Sequence, residues 1–341
     1  MANRIVVLGA GLIGLYVGGL LHAAGAPVSL IGRSRMRALA EGPLVFSGID
    51  GRRVELPAGA LDYSEDPVAL ADAGLVLVTV KSADTGDAGD LIGSIAPQRP
   101  AVLSLQNGIG NTDVLQTRLP DYDVAPGMVA FNVAVPEPGR LHRATDGGLM
   151  SARMPALLPW LPAFEAAGLP LVMRNDFAPV QWGKLMLNLN NAVNALSGVP
   201  LAAELAQRPY RRVFALLVAE ALKTLRASGI VPARVTRVPP QALPMLLRVP
   251  DAVYRRIAGS AFAMDAEARS SMWEDLNAGR RTEVDYLNGA VVRLADRAGR
   301  TAPYNAAIVE LIHAAESGTL PAYTADELYA HLASSGPERP R

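Results

Sequence analysis

Ile5-Val6-Val7-Leu8-Gly9-Ala10-Gly11-Leu12-Ile13-Gly14 decides how this chain is read, together with the apolar run to Gly25 and the stretch Val28-Ser29-Leu30-Ile31-Gly32-Arg33. The opening residues have the unbroken apolar character of a strand buried on both faces. Gly9, Gly11 and Gly14 then form G-x-G-x-x-G where that strand turns into a helix. Gly25 and Pro27 stop the helix and a second strand follows. This is a β-α-β unit in about thirty residues, the context in which the glycine pattern carries information. Gly9 permits the tight turn, Gly11 lets backbone approach a pyrophosphate, and Gly14 lets helix and strand pack closely. The backbone from Gly9 to Gly14, with Ala10, Leu12 and Ile13 between the glycines, offers N–H groups and the positive end of a helix to the phosphates.

Two other readings compete for the same stretch. From Ile5 to Ile31 the polar side chains of consequence are Tyr16, His22 and Ser29, so the run resembles a membrane span. Arg4, the apolar run and the small residues Ala23–Ala26 also resemble a secretory signal. The glycine spacing and the cuts at Gly25 and Pro27 favour strand, helix and strand over either.

The end of the second strand selects the nucleotide. An NAD site places Asp or Glu there for the ribose 2′-hydroxyl. No acid occurs between Gly9 and Ala40, and Arg33 stands at that place with Arg35 and Arg37 behind it. A guanidinium suits a 2′-phosphate, so the reading is NADP(H), held by Arg33.

Composition narrows the rest. At 341 residues the chain has room for two domains. Lys plus Arg equal Asp plus Glu at 32 each, which gives no reason to expect a nucleic-acid partner. Absence of Cys excludes disulfides and thiol catalysis and suits a cytoplasmic protein. The four His residues are scattered, so no metal site is expected, and no Ser lies in a G-x-S-x-G context.

Strands alternate with helices through residues 1–176: a hairpin across Asp50-Gly51, a helix opened by Asp66-Pro67, a buried strand Leu75–Val80 ending at Lys81, and another, Ala101–Leu105, ending at Gln106-Asn107-Gly108. Asn111 should cap the next helix, and residues 131–153 should be edge strands. This pattern predicts an α/β fold with a doubly wound, mostly parallel sheet of Rossmann type. Ligands of such sheets sit at the carboxyl ends of the strands, where the Gly9–Gly14 turn, Arg33, Lys81 and Asn107 all fall.

Residues 177–335 read as helices only, with one running from Pro179 to Ser197, a proline-rich insertion at 236–251, a helix over 265–278, and another from Glu283 to Ala298 capped by Thr282. Residues 336–341 read as a disordered tail. In the first of these helices Lys184, Asn188 and Asn191 share a face, at about 0°, 40° and −20° around the axis, while Asn194 lies about 80° away. Asn is a poor helix former, so Asn188, Asn190, Asn191 and Asn194 in seven residues need a cause. A lysine beside carboxamides suits a carbonyl substrate, because hydride addition puts negative charge on oxygen and an ammonium can protonate it. Glu283 can orient the lysine or hold ribose, and Ser270 or Ser271 can bind a carboxylate.

These motifs together resemble the ketopantoate reductase (2-dehydropantoate 2-reductase) family, from the glycine fingerprint to about residue 317. The resemblance rests on Gly9–Gly14, Arg33, Val80-Lys81, Asn107-Gly108, Lys184-x-x-x-Asn188, Ser271-Met272 and Thr282-Glu283 through Asn288-Gly289. It implies a Rossmann-type domain plus an all-α C-terminal domain like that of 6-phosphogluconate dehydrogenase, serving substrate binding and dimerisation. It further implies NADP(H), a homodimer, and the reduction of ketopantoate to pantoate with Lys184 as proton donor. Glu283 would organise cofactor and active site, Asn107 would touch both ligands, and Asn188, a second helix asparagine and Ser271 would hold substrate. The family's second asparagine stands eight residues after the lysine, where this chain has Ala192. Asn191 or Asn194 can replace it, and the shared face favours Asn191. Rival readings are a reductase of another 2-keto or 3-hydroxy acid, or of an imine, and a regulatory protein that binds NADPH without turnover.

Overall fold

The structure, a computed structural model, describes residues 4–236, 238–258, 268–318 and 322–336. Two compact units divide it, Met1–Phe177 and Ala178–Arg341.

In the N-terminal unit β1 (Arg4–Leu8), α1 (Leu12–Ala23) and β2 (Val28–Ile31) form the β-α-β unit. α2 (Ser34–Glu41) follows, then β3 (Leu44–Gly48) and β4 (Arg53–Leu56), a hairpin across Asp50-Gly51. β5 (Asp62–Ser64) and β6 (Ala73–Val78) lead to α3 (Thr85–Ile95), β7 (Ala101–Ser104), α4 (Asn111–Arg118) and β8 (Val124–Val129). β9 (Val133–Glu137), β10 (Arg140–Arg143), β11 (Leu149–Ala152), α5 (Leu161–Ala166) and β12 (Leu171–Arg174) complete it.

One sheet has the order β12-β11-β8-β7-β6-β1-β2-β5. The strands from β8 to β5 are parallel to one another, and β11 and β12 run against them. Side chains of β1 alternate between two cores: Ile5 and Val7 join one, Val6 and Leu8 the other, and β6 divides Leu75 and Leu77 from Val76 and Val78 in the same way. Both faces are covered, which is why the sequence here is apolar without alternation. α1 packs tightly because Gly19 faces Phe46, whose ring would stand 2.2 Å from an added Cβ. That packing offsets the helix-propensity cost of glycine.

The edge strands and the Asp66-Pro67 helix expected in this unit are corrected. Residues 131–153 are not all edge strands. β9 and β10 join the hairpin in a second sheet, β4-β3-β10-β9, and β11 lies inside the main sheet. Asp66-Pro67 opens a 3-10 turn, Pro67–Asp72, with Asp66 accepting from the Val68 N–H at 3.0 Å. The apolar N-terminal run is a 12-residue helix between two strands, and no helix among the described residues is long and apolar enough to cross a membrane.

The C-terminal unit contains α6 (Ala178–Asn188), α7 (Asn190–Ser197), α8 (Leu201–Ala206), α9 (Arg208–Ala227), α10 (Leu243–Arg248), α11 (Asp251–Ala258), α12 (Ser271–Asn277), α13 (Asn288–Arg297), α14 (Pro303–Glu316) and α15 (Ala325–Ser335). Its helical character matches the sequence reading, but several boundaries move. The helix expected from Pro179 to Ser197 is interrupted at Leu189, within the Asn-Leu-Asn-Asn run of low helix propensity. Glu283, not Thr282, is the N-cap of a 3-10 turn, Val284–Tyr286, with Thr282 Oγ1 accepting from the Val284 N–H at 3.2 Å, and α13 begins only at Asn288. Residues 265–267 of the helix expected over 265–278 lie outside the described residues, as does the expected disordered tail beyond Gly336.

The proline-rich insertion is tied down by a fully buried arginine. Arg211 of α9 donates to the carbonyls of Leu205, Leu247 and Val249 at 2.9, 3.2 and 2.7 Å. It also pairs with Asp251 at 2.9 Å, and its guanidinium lies 4.1 Å from the centre of the Tyr254 ring. The prolines leave those carbonyls without helical partners, and a five-donor fork can satisfy several at once.

Candidate functional site

In the N-terminal unit, four of the expected positions follow four adjacent strands: Asn107 after β7, Lys81 after β6, the glycine turn after β1 and Arg33 after β2. Gly9 has φ +109°, and a Cβ there would stand 2.4 Å from the Val80 nitrogen. An added Cβ on Gly14 would meet the Gly9 carbonyl oxygen at 2.5 Å. Gly11 differs, because a Cβ built on it meets nothing within 4 Å. Gly11 is also the N-cap of α1, without a capping side chain and with no acid in the first turn. The first N–H groups of a helix have no partners within it. Open space beside Gly11 at such a helix start fits a dinucleotide pyrophosphate.

The turns carrying Lys81 and Asn107 are locked by buried polar groups that the sequence reading missed. Gln106 donates to the Val80 carbonyl at 3.1 Å and to Thr85 Oγ1 at 2.8 Å. Asn111 donates to the Asn107 carbonyl at 2.7 Å and to Ser82 Oγ at 3.2 Å. Gly110, not Asn111, is the N-cap of α4. The Asn111 side chain turns inward because a buried carbonyl needs a donor more than an exposed helix start does. A Gln and an Asn flanking the Asn107-Gly108 turn were the available signal.

Arg33 is the N-cap residue of α2, and its side chain is 63% exposed. The sequence has no acid near it, but the topology brings one: Arg33 Nη2 donates to Asp84 Oδ2 at 2.6 Å. Arg37, by contrast, is committed to Glu41 and Glu65.

In the C-terminal unit, Lys184 stands on α6 at a close crossing. The segment through Ala233 passes over Gly183, where a Cβ would lie 2.1 Å from the Ala233 carbonyl oxygen. Ala233 N donates to the Pro179 carbonyl at 2.8 Å. Burial pushes the Lys184 ammonium down from its ordinary value to about 8, and the Glu283 carboxylate acts against that fall. Glu283 is itself buried, and its carbonyl accepts from the N–H groups of Tyr286 and Leu287 at 3.0 and 3.1 Å. Lys184, Asn188 and Asn191 are all half-buried, whereas Asn190 and Asn194 are buried.

Asn194 is occupied inside the unit. Its amide donates to Glu204 Oε2 at 2.7 Å and to the Val199 carbonyl at 2.9 Å, and its oxygen accepts from the Ser270 N–H at 2.8 Å. Ser270 caps α12, accepting from the Trp273 N–H at 3.1 Å, and donates to the Asn191 carbonyl at 3.1 Å. Ser271 is half-buried at the first position of α12. Among the described residues no group of three or more His, Asp or Glu could hold a metal ion.

Comparison with known proteins follows both units. A family model described as "Ketopantoate reductase PanE/ApbA" matches residues 5–155, and its companion, "Ketopantoate reductase PanE/ApbA C terminal", matches residues 176–316. The chain is 31% identical over 327 residues to the 2-dehydropantoate 2-reductase of Halobacterium salinarum, covering 92% of this chain and 99% of that protein. It is 28% identical over 325 residues to the protein of that name from Archaeoglobus fulgidus, covering 93% and 99%. Among solved structures, the PanE/ApbA family ketopantoate reductase of Ralstonia eutropha JMP134 aligns with a TM-score of 0.76 at 29% identity, covering 92% of this chain and 98% of that one.

Proposed function

From the membership of this chain in the ketopantoate reductase family, which the matches over both units establish, we propose that it is an NADPH-dependent reductase of a 2-keto acid, with ketopantoate as substrate and pantoate as product. The observation that carries the reading is Lys184: an ammonium brought down to about 8 by burial, with Glu283 acting against that fall, and half-buried as Asn188 and Asn191 are. A general acid works best when its pKa lies near the operating pH.

The Gly9–Gly14 cradle would hold the cofactor, whose reduced nicotinamide would supply the hydride for the keto carbon. Lys184 gives its proton to the carbonyl oxygen, so charge does not accumulate there. Glu283 keeps Lys184 protonated. Asn188 and Asn191 hold the substrate hydroxyl and Ser271 its carboxylate, Ser270 being committed to the helix cap. Lys81 and Asn107 serve the cofactor, Asn107 touching substrate as well, and Arg33 takes the 2′-phosphate. The same reading makes the protein a cytoplasmic homodimer.

A second substrate is favoured by one observation. Ala192 stands where the family has its second asparagine and is fully buried, so the hydroxyl-binding end differs and another 2-keto acid can fit. The test is steady-state oxidation of NADPH with ketopantoate against a panel of other 2-keto acids. Highest kcat/KM with ketopantoate is expected, preference for another acid moves the assignment to that substrate, and no turnover with any of them refutes the reductase reading.

A further inference from the structure

β1 lies between β6 and β2 in the sheet, so the residues after β2 and after β6 flank the glycine turn on its two sides. Arg33 comes from one side and Asp84, in the 3-10 turn Ser82–Asp84, from the other, and the two side chains meet at 2.6 Å. The backbone under Arg33 is fixed, since Tyr63 Oη donates to the Arg33 carbonyl at 2.7 Å. Both partners remain accessible, with side-chain exposures of 63% and 34%.

An acid at the end of the second strand marks an NAD site and an arginine an NADP site. By sequence this chain has the arginine alone. In space it has both, because the fold supplies the acid from the neighbouring crossover.

We propose that Asp84 is a specificity-determining residue of the dinucleotide site, accepting from the ribose 2′-hydroxyl of NADH and competing with the 2′-phosphate of NADPH for Arg33. This rests on the reading that the cradle holds a nicotinamide dinucleotide. A 2′-hydroxyl can donate to Asp84 while the ion pair stays intact, because a carboxylate has lone pairs for both donors. A 2′-phosphate must draw Arg33 away from Asp84 and then sit beside a carboxylate of like charge. The exposed pair is weak enough to be displaced, so NADPH still binds, but with little advantage over NADH. The chain thus accepts both nucleotides with a small preference for NADPH.

Direct titration of the protein with NADPH and with NADH, followed by nucleotide fluorescence, tests this without turnover. The wild type, Asp84→Asn, Arg33→Ala and the double variant are compared, with Asp84→Ser as a second replacement. Asp84→Asn should tighten NADPH about three- to tenfold and weaken NADH by a similar factor. Asp84→Ser should move the NADPH:NADH ratio in the same direction. In the Arg33→Ala background the gain for NADPH should shrink to the part that comes from removing the like charge beside the 2′-phosphate. A ratio unchanged within about twofold in both Asp84 variants, or a gain just as large without Arg33, overturns the inference and leaves the dinucleotide reading intact. A wild type that binds neither nucleotide overturns that reading, and this inference with it.

Discussion

Replacing Glu204 by Gln should flatten the dependence of stability on pH. Glu204 is fully buried on α8. Its Oε2 accepts from Asn194 at 2.7 Å, and Asn194 and Asn190 both act against the effect of burial on the carboxyl group. Oε1 and the Asn190 oxygen are acceptors without a donor among the described residues. Burial therefore pushes the carboxyl up, from 4.5 to about 8. The folded protein keeps a proton on Glu204 that the unfolded chain has released above pH 4.5. Stability from this group is full below the unfolded value and is lost as pH rises toward the folded one. A gap of that size corresponds to about 3–5 kcal/mol, the lower figure allowing for relaxation around the charged form. Tyr210 and Tyr254 stand near the carboxylate, but burial raises both phenols, so neither titrates in this window. Gln keeps the shape, brings its own donor and does not titrate. Urea unfolding of both proteins from about pH 5 to about pH 9 should show the wild type losing about 3 kcal/mol or more relative to Glu204→Gln. Two curves that run parallel within about 0.5 kcal/mol would refute the reasoning, because they would mean that Glu204 is ionised or hydrated in the folded state.

Two other consequences are open to measurement. Lys184→Ala should lower kcat by about a hundred- to ten-thousandfold with little change in NADPH affinity; the wild-type reduction rate should fall as pH rises through about 8, and Glu283→Gln should move that fall to lower pH, all read from pH–rate profiles. Arg211→Leu strips a partner from three backbone carbonyls and from Asp251, so urea unfolding should show a loss of about 3–5 kcal/mol, which Arg211→Lys recovers only in part because an ammonium lacks the planar fork.

Legibility in the sequence followed the range of the interaction involved. The β-α-β unit could be read because its signals, glycine spacing and apolar runs, are local in the chain. The positions after four parallel strands could be listed for the same reason. Which strands are neighbours was not local information. Asp84 lies 51 residues from Arg33 in the chain, and only the order β6-β1-β2 brings them together. The second sheet was missed on similar grounds, since β10 pairs with β3 across about ninety residues of chain. Nothing in the sequence sets Arg211 apart from the arginines beside it. Its burial follows from the unpaired carbonyls that the prolines leave beside it, and no periodicity of α9 announces them.

The asparagine run shows how a correct signal can have two causes. Four asparagines in seven helical residues called for an explanation, and a ligand was the natural one. Structurally the run divides. Asn188 and Asn191 are half-buried like Lys184. Asn190 and Asn194 turn inward to the Glu204 carboxyl group, and Asn194 also holds the Ser270 N–H. The break at Leu189 falls between the first asparagine and the other three, so angles counted from Lys184 lose accuracy beyond it. Position 192, eight residues after the lysine, is fully buried, and an asparagine there would need yet another buried partner. Asn194 is already spent on three such partners. Of the two candidates for the missing substrate asparagine, Asn194 is the one whose side chain these buried contacts occupy, so the proposal assigns the role to Asn191. Its own carbonyl, which accepts from Ser270, ties it to the start of α12, where Ser271 stands.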